Sequence, residues 1–115
     1  MKLRLNWSKN NKTFELGILE KINDEYIFNI NNQELKEAIR NGCCGIGNFD
    51  LLKKEYRSTD LFSFFKNRIP EKDNLNIKET LEEYGLTEYD EMEILKNTKG
   101  ELETDNYYLE EIWKE

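Results

Sequence analysis

The chain of 115 residues contains no histidine, one proline and two cysteines. Each scarcity excludes something. Without histidine there is no Ser-His-Asp or Cys-His nucleophilic arrangement. A metal site would also lack its commonest nitrogen ligand. Carboxylates, lysines and tyrosines remain as acids and bases, but no spacing singles out a pair. The two cysteines, Cys43 and Cys44, are adjacent. Neighbouring α-carbons sit at the short limit for a disulfide, and the ring they would close is strained. The plain reading is two free, buried thiols, with redox switching or metal binding as the alternative. Long apolar runs are missing too, so no stretch could span a membrane as a helix. The segment Met1-Lys-Leu-Arg-Leu-Asn-Trp7 alternates like a strand and lacks the apolar core of a signal peptide. A cytoplasmic location is the default expectation.

What is present suits one folded domain over residues 1–115. Apolar residues make up 37% of the chain, enough for a modest core without metals or disulfides. The net charge of -7 is unevenly spread. Residues 1–70 carry 12 basic and 9 acidic side chains, and residues 71–115 carry 5 and 15. The second half would repel a polyphosphate, so direct nucleic-acid binding is not expected. It would draw in a basic protein surface, chiefly by faster association. The alternative is simply a set of solvated helix faces.

The pattern predicts an α+β fold: a small antiparallel sheet, made of an N-terminal three-stranded meander plus a C-terminal strand, with three to four helices mainly on one face. Leu3, Leu5 and Trp7 alternate with polar residues, as do Phe14, Leu16 and Ile18, and then Tyr26, Phe28 and Ile30. Lys9-Asn-Asn-Lys12 and Asn23-Asp24 supply the turns. Leu19 and Ile27 fall on the second, wetter face. Gln33–Arg40 reads as a helix ended by Gly42. Ser58 is placed to cap a longer helix to Ile69, with Leu61, Phe62, Phe65 and Ile69 at helical spacing and Pro70 as its stop. A helix from about Ile77 to Tyr84 ends at Gly85. Thr87-Glu-Tyr-Asp90 resembles a capping box for a last helix through Asn97, striped by Tyr89, Met92 and Leu95 and closed by Gly100. The final segment is read as a strand from about Leu102 to Tyr108, followed by a short helical or frayed tail.

Three features could carry function. The loop Gly42-x-x-Gly45-x-Gly47 could bring amides to a phosphate. No Gly-Lys-Ser or Gly-Lys-Thr follows, so a tight turn pegged to the core by Ile46 and Phe49 is the simpler reading. Phe62, Phe64 and Phe65 read as core, but Phe64 lies off the Leu61/Phe65 line. With Tyr56 and Arg57 it would suit a protein interface. Tyr107, Tyr108 and Trp113 sit among acidic rather than basic residues, which disfavours stacking on nucleic acid and leaves an anchor for a partner or for the sheet.

Several of these motifs, in order, resemble the N-terminal subdomain of HipA-type toxin kinases. Leu16-Gly17-Ile18-Leu19 is similar to the family's Val-Gly-x-Leu, and Tyr26-Ile27-Phe28 to the aromatic alternation of its third strand. Leu61-Phe62-Ser63-Phe64-Phe65 through Ile69-Pro70-Glu71 resembles its Leu-x-x-Phe-Phe helix ending in Leu-Pro-Glu. Gly85-Leu86 and Ile94-Leu95 match the paired helices that follow. A free-standing copy is similar to HipS, the small component of HipBST toxin–antitoxin systems. The resemblance implies a non-catalytic antitoxin or regulatory subunit, without cofactor or metal, that binds a HipA-like kinase and restrains it. Tyr56, Arg57, Phe64 and Trp113 are the expected partner interface, with the Gly42–Phe49 loop next in line. A competing reading is an acidic inhibitor that mimics nucleic acid, perhaps phage-borne. A small enzyme is the third.

Overall fold

The computed structural model describes residues 1–50 and 53–112. Its elements are β1 (Lys2–Lys9), β2 (Lys12–Ile22), β3 (Glu25–Ile30), α1 (Asn32–Arg40), β4 (Glu55–Ser58), α2 (Ser63–Lys66), α3 (Ile77–Glu83), α4 (Glu91–Thr98) and β5 (Tyr107–Ile112). They form one antiparallel five-stranded sheet of order β4-β3-β2-β1-β5, with four helices. The meander and the returning C-terminal strand are as the alternation predicts. Asn10 and Asn11 both take positive φ (51° and 66°), which a two-residue hairpin of matching twist requires and asparagine tolerates. No helix among the described residues is long and apolar enough to cross a membrane.

The register corrects one phase. Leu5 pairs with Gly17 but Asn6 pairs with Glu15, so Leu16 is an extra residue on β2. The bulge keeps Leu16 in the core and reverses the alternation beyond it. Leu19, expected on the wetter face, is fully buried between Leu3 and Phe28. Ile18 takes the other face, opposite Arg4 and Asn29. Gly17 stands where a Cβ would lie 2.5 Å from the Asn29 carbonyl oxygen and 2.9 Å from the Phe28 ring, so the close approach of β3 requires glycine.

One sheet face carries the core. Leu3, Leu5, Trp7, Leu19, Phe28, Ile30 and Leu109 meet Leu35 and Ala38 of α1, Phe65 of α2, Leu81 of α3, and Met92, Ile94 and Leu95 of α4 in a single cluster. The opposite face is laced by ion pairs: Lys2–Glu20 at 3.9 Å, Arg4–Glu110 at 3.1 Å, Arg4–Glu15 at 3.5 Å and Arg57–Glu25 at 3.0 Å. Among the described residues only Ile27 is buried and apolar yet outside the core cluster; it lies opposite Glu20 and Arg57.

Three boundaries differ from the sequence reading. The expected Ser58–Ile69 helix is replaced by strand β4, a turn, and the four-residue α2. The Ser58 hydroxyl accepts from the Asp60 N–H, an ST-type turn rather than a helix cap. Phe62 precedes α2 with extended dihedrals. Leu61, Phe65 and Ile69 are nevertheless buried, because the turns on either side of α2 keep them on one side. Helix α4 is capped by Asp90, whose side chain accepts from the Met92 and Glu93 N–H groups, not by Thr87. Strand β5 begins at Tyr107 instead of ending near it. Asp105 turns the chain there, and Tyr107 and Leu109 then alternate inward against Trp7 and Leu5. Cys43 is buried as expected, but Cys44 is exposed; both thiols are free.

Candidate docking groove

A groove of about 460 Å³ lies between the Gly42–Phe49 loop and α2, running from Tyr56 to Leu102. Three segments build its walls, and Leu102 closes the far end. The loop returns from α1 through Gly42, Gly45 and Gly47, all at positive φ (108°, 89° and 49°), and Gly47 comes so near Phe64 that a Cβ would sit 3.3 Å from its ring. These glycines make a tight turn against the core. β4 contributes Tyr56, and the segment 62–68 contributes Phe62, Phe64 and Arg68.

The lining is largely aromatic. Tyr56 and Phe49 rings are 4.7 Å apart, Phe49 and Phe62 5.4 Å, and Phe49 rests on the core ring of Phe28 at 5.0 Å. The Tyr56 hydroxyl donates to the Asp50 carbonyl and accepts from the Asp50 N–H, fixing the loop to the strand. Phe64 is half-buried, edge-on to Phe65 and Tyr107 at 5.2 Å each. Arg68 has a side chain only 4% exposed. Its guanidinium lies 4.5 Å over Phe64 and 5.0 Å over Tyr107, donates to the Gly100 carbonyl at 2.9 Å, and forms a forked pair with Asp105. Leu102 at the far end is 39% exposed. Rings of this kind, partly wet on a rigid backing, are the usual anchor sites of protein partners.

Behind the groove, the Tyr107 hydroxyl donates to the Gly45 carbonyl and lies 3.4 Å from the Cys43 sulfur. Burial, then the Cys43 contact, pushes this phenol's pKa up. On the other side of the core, burial and a 2.8 Å hydrogen bond to Glu91 do the same to Tyr26. A folded pKa above the unfolded value means that the fold favours the protonated phenol. The stability it contributes is present below about pH 10 and lost as pH rises through the folded value. Stability should therefore fall between about pH 9 and about pH 11, and fall less in Tyr26→Phe with Tyr107→Phe; urea midpoints at both values check this.

Of the four expected interface residues, the structure brings Tyr56 and Phe64 to one groove. Arg57 is on the opposite sheet face, paired with Glu25 and Glu55, and those hydrogen bonds, Glu55 first, raise its pKa. Trp113 lies outside the described residues. Arg68 and Leu102 escaped the sequence reading. A lone arginine between Phe65 and Ile69 reads as solvated, and its partner Asp105 is 37 residues away. A second cavity, near Tyr26 and Tyr89, mixes Lys21, Lys66 and Lys72 with Glu71, Asp73, Asp90 and Glu91, and these charges offset one another.

No protein-family model matches the chain, and neither does any curated protein.

Proposed function

We propose that this protein is a non-catalytic binding module whose aromatic groove receives an apolar side chain of a partner protein. The partner that the sequence resemblance suggests is a HipA-like serine/threonine kinase, held in an unproductive state. Restraining such a kinase a hundredfold takes a preference of about 2.7 kcal/mol for the inactive form. The observation that carries the reading is the aromatic lining made by Tyr56, Phe49, Phe62 and Phe64, backed by buried rings and left partly open. Its polar lining, Asn48, Ser63 and Asn67, can hydrogen-bond a partner's main chain.

The test fills the groove rather than hollowing the core. Asn67 is exposed, so Asn67→Trp should occlude the groove with little effect on stability, and Leu102→Asp should place a carboxylate at its far end. Each should weaken binding to a HipA-like kinase at least about tenfold by calorimetry, equal to about 1.4 kcal/mol. Unchanged affinity in both folded variants would move the contact elsewhere. Failure of the unaltered protein to bind or inhibit such a kinase would reject the partner.

A further inference from the structure

Strand β4 is one edge of the sheet, and its main chain faces outward at alternate residues. The Ile30 N–H donates to the Lys54 carbonyl at 2.7 Å, and the same register pairs Phe28 with Tyr56 and Tyr26 with Ser58. Lys54, Tyr56 and Ser58 thus bond inward to β3, leaving the N–H and C=O groups of Glu55 and Arg57 directed away from the sheet. Among the described residues, no turn, loop or side chain takes up these groups.

The order of side chains on this edge is its own complement. An antiparallel strand added to β4 places one residue opposite Arg57, the next opposite Tyr56 and the next opposite Glu55. Complementing those charges calls for an acidic, then an aromatic, then a basic residue. Glu55-Tyr56-Arg57 is that sequence. We propose that two copies of this chain pair β4 to β4 about a two-fold axis at Tyr56, extending one sheet through both. Arg57 of each copy then faces Glu55 of the other, each pair exchanging two main-chain hydrogen bonds, four in all. The two Tyr56 residues form the closer, non-hydrogen-bonded pair between them. The Arg57 and Glu55 side chains are about half exposed and on the open sheet face, so they can exchange intramolecular partners for intermolecular ones at little cost. The contact is isologous, closes at two copies and covers the exposed edge. Being four residues long, it gives weak association.

Sedimentation equilibrium from about 10 µM to about 1 mM tests this, alongside amide hydrogen exchange. The apparent mass should rise from 13.8 kDa towards twice that value. Exchange at Glu55 and Arg57 should slow as concentration rises. Arg57→Glu leaves two carboxylates facing two, and Glu55→Arg leaves two guanidiniums facing two. Each variant alone should remain monomeric, and mixing them should restore the dimer. A mass that does not change with concentration would overturn the proposal. So would association that persists in both single variants, or slowed exchange confined to β5. Kinase binding through the groove is a separate measurement, and its success or failure leaves this one standing.

Discussion

Phe65→Ala lowers the free energy of unfolding by about 3–5 kcal/mol, read from urea midpoints. Phe65 is 0% exposed. Its ring stands edge-on to Phe28 at 5.1 Å and to Phe64 at 5.2 Å, linking the centre of the sheet to the groove wall. Truncation loses the transfer energy of the ring and leaves a cavity that neighbours from three segments cannot collapse into. For a domain of this size, whose total stability is on the order of 5–15 kcal/mol, the loss is a large fraction. A change below about 1 kcal/mol would mean that the ring is not in the core. The groove should respond too, since Phe64 rests on Phe65. If the groove is a docking site, a Phe65→Ala protein that still folds should bind there less tightly than the unaltered protein.

The meander was readable because its signals are local. Period-two alternation in Leu3–Leu5–Trp7 and Tyr26–Phe28–Ile30 marks the strands, and Asn-Asn and Asn-Asp at the turns set the pairing next to them. Helices α1, α3 and α4 were readable through their apolar stripes and the glycines after them. The bulge at Leu16 was not, because an inserted residue leaves the composition of both faces plausible. The segment Ser58–Ile69 misled for a physical reason. Its apolar residues fit helical spacing, yet β3 has an edge that needs covering, and Ser58 is taken up in that cover, paired with Tyr26. Tertiary pairing outweighed the local pattern. For β5 it was the bounds that misled: the residues after Tyr108 read as a helical or frayed tail, but Leu109 is needed beside Leu5 and its N–H is taken by the Lys99 carbonyl at 2.7 Å. Of the groove, aromatic residue types showed the ingredients at Tyr56 and Phe64. The assembly depends on Arg68 and Asp105, which no local rule connects.

That pair is the basis of the other large effect. Arg68→Ala should cost about 3–5 kcal/mol, the range for breaking a buried ion pair by removing one partner. The guanidinium is nearly enclosed, whereas the Asp105 side chain is 25% exposed. The two single variants should therefore differ. Asp105→Ala strands a buried cation whose remaining hydrogen bond is to the Gly100 carbonyl. Arg68→Ala strands a carboxylate that water can reach, but it also removes the stack over Phe64 and Tyr107. In the double variant no charge is left unpaired, so its cost should fall short of the sum by about 1–3 kcal/mol. Hydrogen exchange supplies a second readout. The Leu109 amide, bonded to Lys99, should exchange faster in Arg68→Ala, because the turn at Asp105 that feeds β5 loses its tether. Strict additivity of the two single variants would show that the fork contributes nothing specific. Arg68→Met then separates charge from bulk. It keeps the long apolar stem against Phe64 and Tyr107, so it should recover part of the packing loss while removing the guanidinium donors from Asp105 and the Gly100 carbonyl.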